Sequence, residues 1–571
     1  MFVVFEGIDG SGKTTVSNRV VKRLVERGLS VKHVRAEGKF ASSVTEAVRA
    51  LARDVRNLAL VPKAEFLLYV AREVQLLEEA LLPALSSHDV VIADRFLYTA
   101  EVLARYGRRV DDEFIGAVIG AASRELMPDL TVLVDVDPLL ARARRRVQKL
   151  ETVDLKPPSR KGLTGSGLQH RLRHGYLRLA ASAPERWAVV DNDDELERIV
   201  DRVTTLILDA REKSVWRTLV AFREENDSRK KERAKRPVRT RKDALDAYLD
   251  WVRRRATLEP KVAAYFLSGF SGETVDPLRL ELAERAPVPL LAGSRGLLDE
   301  LSVALRDKLA NDLPGPVARS LGGIPNSHPA SQALRRALLE RAGAEVAASL
   351  GGLDDDEAWA LREALYERYP NQVMSSLGGL ESERAWALRE RWLERYQREL
   401  DASYELARVA ARSVRGVPGE RAFLVRERAR AAAPIESLRS IVGLTDEKSF
   451  QWRAEAIRRA PRPVMETLRG IDDERAWELR LRVVVDCREA LDGMAGADVP
   501  PAWELRESYA DVWPCAVVKS LGPLADTDRG EALLSRQLER HSENPNVLRH
   551  TAAIALGAHL NHTAFAEEPS A

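Results

Sequence analysis

The sequence predicts two architectures in one chain: an α/β domain with a parallel sheet and flanking helices over residues 1–210, then an all-α solenoid of helical hairpins repeating about every 27 residues. Three observations carry this. Up to about Ala210, short runs rich in β-branched residues alternate with amphipathic stretches, the pattern of parallel strands joined by crossover helices. Beyond about Ala244 the strand signal stops and a motif recurs, as SLGGLDDDEAWALRE from Ser349, SLGGLESERAWALRE from Ser376 and TLRGIDDERAWELRL from Thr467. Finally, 571 residues exceed what a single core holds, since domains typically run to about 100–200 residues.

In the first part the expected strands are MFVVF, SVKHV, DVVIAD, LTVLVDVD and WAVVD, with a helix from Lys13 to Arg27 after the first. Residues 211–243 read as a charged linker or helix, because REENDSRKKERAKRPVRTRK, from Arg223 to Lys242, holds ten basic and four acidic residues with hardly an apolar one.

The repeat occupies residues 244–555, and residues 556–571 are left as a tail. Trp359, Trp386, Phe423, Phe450, Trp477 and Trp503 fall in one column with spacings of 27, 37, 27, 27 and 26 residues. Such a period holds two short helices and their turns. The GG or RG pair suits a tight helix end, since glycine tolerates positive φ, and the acidic cluster after it suits the next helix N-terminus. One unit cannot bury its apolar face alone, so neighbours must stack. The aromatic column is therefore expected to be core, and a partner protein would be read by residues that differ between copies.

Composition excludes several classes. Hydrophobic residues at 45% and charged residues at 31% fit a folded soluble protein, and a formal charge of +2 argues against a generally basic nucleic-acid coat. Two cysteines supply neither a disulfide framework nor a zinc knuckle, so a reducing, cytoplasmic setting is expected. The apolar stretch from Met1 to Phe5 runs straight into Glu6 and does not resemble an export signal. No segment approaches the roughly 18 consecutive apolar residues of a membrane span.

Chemistry concentrates at the N-terminus. Gly7-Ile8-Asp9-Gly10-Ser11-Gly12-Lys13-Thr14 matches GxxxxGKT at the end of a strand and the start of a helix, where backbone N–H groups converge on phosphate oxygens. In this pattern Lys13 neutralises the β/γ-phosphates of ATP and the Thr14 hydroxyl ligates Mg²⁺. Further on, the apolar run Val90 to Ala93 should deliver Asp94 and Arg95 to the ligand-bearing edge of the sheet.

The segment FEGIDGSGKTT resembles the phosphate loop of the thymidylate kinase family, EGxDGxGK[ST]T. FLLYVAREVQLLEEALLPAL, VVIADRFLYTAEVL, PDLTVLVDVDPLLARARRR and HRLRHGYLRLA are similar to further family segments, so the resemblance spans about residues 1–208. It implies a nucleoside-monophosphate-kinase fold and ATP-dependent, Mg²⁺-supported phosphoryl transfer to a deoxynucleoside monophosphate, dTMP going to dTDP. The resemblance implies a donor site of Gly7, Asp9, Gly10, Ser11, Gly12, Lys13, Thr14 and Thr15, a metal site of Thr14 and Asp94, and an acceptor site of Asp9, Arg72, Arg95 and Thr99. Lys13, Asp94 and Arg95 become the catalytic set, with the lid cation drawn from Arg160 or Lys161 in PPSRKGLTGSG. Of the arginines Arg142, Arg144, Arg145 and Arg146, some are expected to flank the ATP base or begin the lid.

Where the family pattern DRYxxSxxAYQ has polar and aromatic groups this chain has Leu103 and Ala104, and the family's TREPGGT loop is reduced to Val34-Arg35-Ala36-Glu37-Gly38. Altered base choice, or a nucleotide-gated interaction switch, therefore stand beside the kinase reading. A protein partner on the solenoid and a homodimer through the kinase domain complete the expectations.

Overall fold

The computed structural model describes residues 1–35, 42–124, 126–151, 160–232 and 238–558. These fall into two compact units, one built on a β-sheet and its helices and the other on the helical array.

The first unit runs β1 (Phe2–Glu6), α1 (Lys13–Glu26), β2 (Val31–Val34), α2 (Ser43–Arg53), α3 (Pro62–Leu76), α4 (Leu82–Leu85), β3 (Val90–Asp94), α5 (Leu97–Val102), α6 (Asp112–Ser123), β4 (Leu130–Asp135), α7 (Pro138–Glu151), α8 (Gly167–Ser182), β5 (Trp187–Asp191), α9 (Leu196–Glu212) and α10 (Val215–Glu232). All five expected strands form one parallel sheet in the order β2-β3-β1-β4-β5. Alternation decides which side chains meet: Val3 and Phe5 of β1, with Val90 and Ile92 of β3 and Val132 and Val134 of β4, face Val16, Val20 and Leu24 of α1 and Ile199, Val203 and Leu206 of α9. Burying each of these side chains contributes about 1.5–3 kcal/mol. Crossover connections on both sides of β1 bring the C-terminal ends of β1 and β3 together, so Glu6 and Asp94 open onto one crevice.

Two helices contain π-helical turns, Leu77–Leu81 after α3 and Leu103–Gly107 after α5. Leu103 and Ala104 are buried, Leu103 among Gly107, Leu168 and Leu172, so these positions serve packing against α8. The charged segment after residue 210 is helical over its described part. Helix α10 buries Leu219 and Phe222 on α9, while the Asn226 side chain donates to Val189 O of the edge strand β5 (3.2 Å) and accepts from Arg202 (2.6 Å).

The second unit is entirely helical among its described residues, with twenty-two α-helices read as eleven consecutive hairpins, starting with α11 (Arg241–Leu258) and α12 (Pro260–Phe266). Its turns are those the repeat text implies. Gly379 of the GG pair sits at φ +82°, and Asp355, Ser382, Asp446 and Asp473 cap the next helices through their side chains. Each second helix packs on the second helix of the next hairpin, as stacking requires.

The aromatic column is core: Trp359, Trp386, Phe450, Trp477 and Trp503 are buried and Phe423 is half-buried. Three residues after each buried Trp or Phe of the column stands a buried arginine. Arg453 is representative: it donates to Thr467 Oγ1 (3.0 Å), Leu444 O (2.8 Å) and Ile441 O (2.9 Å), and Arg506 repeats the pattern with Ser520 Oγ (3.1 Å), Ala497 O (2.8 Å) and Met494 O (3.1 Å). The guanidinium thus ties carbonyls that follow one helix to the end of a helix in the next hairpin. Trp359, Trp386, Phe450 and Trp503 each also have two arginines over the ring: Arg362 lies 4.7 Å from the Trp359 centroid and Arg384 of the next hairpin 4.9 Å, with Arg506 and Arg529 at 4.9 and 4.5 Å from Trp503.

The array closes on itself, a feature the sequence reading did not contain. Its last helix (Pro545–Ala555) packs against α11, and Arg549 donates to Ser268 O (3.3 Å) just beyond α12. Arg241 at the start of α11 pairs with Asp526 (2.6 Å).

Candidate functional site

The phosphate loop joins β1 to α1 through residues that must be glycine. Gly10 and Gly12 have φ of +88° and +89°, and a Cβ would strike the Ala141 carbonyl at Gly10 and the Asn192 side chain at Gly12. Asn192, which follows β5, donates to Ser11 O, and Arg144 of α7 donates to Asn192 O (3.1 Å), so three elements brace the loop. The Ser11 hydroxyl is buried with no hydrogen-bond partner among the described residues. A glycine-rich turn at a helix N-terminus, an unsatisfied hydroxyl and a buried lysine fit a polyphosphate.

Lys13 is buried at the start of α1, and its pKa is pushed down to about 8, by burial first and by the Arg95 charge next, against Asp94, Asp9 and Glu6. The following residue, Thr14, donates its hydroxyl to Asp94 Oδ2 (2.5 Å) at the end of β3. The other oxygen, Asp94 Oδ1, is buried with no partner among the described residues. One hydroxyl and one carboxylate side by side, all oxygen donors, form a set that fits Mg²⁺, which commonly keeps several waters and takes few protein ligands. Thr15 is exposed, one position beyond this pair.

The residues expected to hold the acceptor form a continuous network. Arg95, at φ +80°, donates to Asp9 Oδ1 (2.6 Å), to Thr99 Oγ1 (3.0 Å) and to Tyr176 OH (3.3 Å). Glu6, fully buried, accepts from Phe96 N (3.0 Å) and the Thr99 hydroxyl (2.8 Å), and burial raises its carboxyl above the usual range despite Arg95. Arg72 pairs with the neighbouring Glu73, which also pairs with Arg35, and Arg35 donates to Arg95 O (2.9 Å). Asp9, Arg72, Arg95 and Thr99 thus share one network. Arg35, Glu6, Glu73 and Tyr176 join it without having been singled out as site residues. Arg35 stands in the shortened VRAEG loop, Glu73 beside Arg72, and Glu6 and Tyr176 inside the motif segments FEGIDG and HRLRHGYLRLA, so each was within reach of the text, but only the fold shows that their side chains meet.

The side chains of Arg160 and Lys161 and the loop residues 36–41 lie outside the described residues. The backbone of Arg160–Thr164 forms a 3₁₀ turn, and Arg108 anchors its end by donating to Thr164 Oγ1 (2.6 Å) and to Glu65 Oε2 of α3 (2.7 Å).

Comparison with known proteins places the first part of the chain in a family. The family model described as thymidylate kinase matches residues 5–203. A thymidylate kinase of Geobacter sulfurreducens is 36% identical over 209 residues, covering 36% of this chain and 96% of that protein. One from Prosthecochloris aestuarii is 33% identical over 213 residues, covering 37% and 94%. A crystal structure of thymidylate kinase from Ehrlichia chaffeensis aligns at 24% identity and a TM-score of 0.29, covering 36% of this chain and 98% of that one. Because relatives above 30% identity are matched over almost their whole length, the chain belongs to the thymidylate kinase family, through its first two hundred or so residues.

Proposed function

We propose that this protein is an ATP-dependent kinase that phosphorylates dTMP to dTDP, with the helical array as an attached scaffold. One observation carries the reading: the donor pair Thr14–Asp94 and the acceptor cluster around Arg95 and Asp9 sit on the touching C-terminal ends of β1 and β3, so two phosphates bound there would face each other. Phosphoryl transfer asks mainly for positioning and for cations around the moving charge. Lys13 supplies a cation to the donor phosphates, and Arg72 and Arg95 supply cations to the acceptor phosphate. Thr14 and Asp94 would hold Mg²⁺, which supplies charge neutralisation to the β/γ-phosphates when bound. Asp9 and Thr99 fix the Arg95 fork in its plane, so that it meets the acceptor already oriented. Arg160 is the lid cation in this reading.

Residues 1–210 form the catalytic domain, 211–243 the connector and 244–555 the scaffold for a protein partner. Self-association through the catalytic domain is part of the same reading, checked by sedimentation of the full chain. Among the described residues no helix is long and apolar enough to cross a membrane.

The test is to incubate the purified chain with ATP and a panel of nucleoside monophosphates and to quantify ADP and each diphosphate. Formation of dTDP with dTMP as the preferred acceptor supports the proposal. ATP hydrolysis with no diphosphate formed would replace it with a nucleotide-gated switch.

A further inference from the structure

Glu73 follows Arg72 on α3 and is fully enclosed, with a relative exposure of 1%. One of its oxygens accepts from Arg72 Nε (3.1 Å) and Nη2, and the other accepts from Arg35 Nη2, at the end of β2. The same Arg35 nitrogen donates to the Arg95 carbonyl (2.9 Å), at the end of β3. Three arginines from three elements are therefore chained through one carboxylate and one carbonyl. Two of them, Arg35 and Arg95, stand in the left-handed region at φ +63° and +80°, a conformation that persists only where surrounding contacts hold it.

We infer that Glu73 is a positioning residue for acceptor binding: it spreads the Arg35 and Arg72 forks into the orientation that receives the acceptor's phosphate. This rests on the reading that the arginine cluster holds that phosphate. The chemistry requires a carboxylate. Arg35 and Arg72 side chains are only 4% and 7% exposed, and two guanidinium groups so enclosed repel unless a double acceptor lies between them. Glutamine would place an NH₂ donor against one of the two forks, and aspartate would keep both oxygens but draw them back toward α3. Burial raises the Glu73 carboxyl and the charges of Arg35 and Arg72 more than reverse it, so it stays ionised.

The experiment uses the full chain and the variants Glu73→Gln and Glu73→Asp, with dTMP binding measured by calorimetry and both KM values by turnover. Glu73→Gln should weaken dTMP binding and raise the dTMP KM about tenfold or more, the scale of one charged hydrogen bond, while the ATP KM stays within about twofold. Glu73→Asp should show a smaller rise in the same parameter. A folded Glu73→Gln chain with unchanged or tighter dTMP binding, or with both KM values raised together, would overturn the assignment. If Glu73→Gln does not fold, Glu73→Asp decides: weaker dTMP binding alone supports positioning, and behaviour identical to wild type, or a common loss, refutes it. A wild type that binds dTMP without turning it over removes the kinase reading, while the binding constants of the variants still decide on Glu73. A wild type that neither binds nor turns over dTMP overturns both.

Discussion

At Lys13 burial and charge pull in opposite directions. Its pKa near 8 in the ligand-free protein means that the cation needed by the donor phosphates is lost as the pH rises through that value. The expected outcome is a kcat/KM for ATP that falls above about pH 8, with the fall in kcat displaced to higher pH because bound phosphate favours the charged lysine. A kcat/KM that stays flat to pH 10 would show that Lys13 is not the titrating cation. For Arg95, substitution by Ala removes a fork held by Asp9, Thr99 and Tyr176, and should cost about 1.5–3 kcal/mol in kcat/KM, equally for every monophosphate acceptor. Steady-state kinetics on two acceptors checks this, and a loss confined to one base would place Arg95 at the base instead. Residues at this scale were legible where chemistry is written locally: GSGKT and the Asp94-Arg95 pair stand beside their own strands. The roles of Glu6 and Tyr176 were not, although both stand within motif segments, because a buried glutamate and tyrosine gain them only from neighbours up to 93 residues away in the chain.

In the repeat hairpin the arginine that follows each aromatic residue of the column is buried along with it and bonded to helix-end oxygens. These arginines carry no paired carboxylate in their bonding pattern among the described residues; Arg453 faces four oxygen acceptors at the ends of two helices, and burial brings its pKa down to about 10. Arg453→Met nearly keeps the volume but leaves the Leu444 carbonyl without a donor and removes the guanidinium's bonds to Ile441 O and Thr467, so it should destabilise the array by about 3 kcal/mol. Arg453→Lys should rescue little, because an ammonium cannot span the fork. Denaturant unfolding of the full chain measures both, and a variant as stable as wild type would show that water replaces the guanidinium at no cost. The helices, caps and glycine turns of this unit were legible from SLGGL and the acidic run after it. The arginine was equally visible in every copy, as in WALRE, but residue periodicity marks a position as structural without saying which carbonyls it will meet. The π-helical turns at Leu77–Leu81 and Leu103–Gly107 left no trace in the text, since one wide turn changes the helical register without changing residue type.

For the whole molecule, two units with separate cores imply that chemistry and scaffold can be lost independently. Closure of the array changes what truncation should do. In an open stack, removal of the end hairpin costs one interface. Here the last helix also covers α11, where Tyr248, Leu249 and Val252 are buried, so a chain ending at residue 541 exposes that face as well. It should lose about 5 kcal/mol or more and tend to associate, seen as a lowered Tm and earlier elution on gel filtration. An unchanged Tm would mean that the closing contact is not formed in solution. Closure was not legible because the two helices that meet lie outside the aromatic column and 287 or more residues apart. The most direct test of the account is the stoichiometry of ADP and dTDP formed from ATP and dTMP by the full chain and by Lys13→Ala. Equal amounts of the two products from the wild type, and none from a Lys13→Ala chain that keeps its helical circular dichroism, are the predicted result; ADP without dTDP, or dTDP formation that survives loss of Lys13, would contradict it.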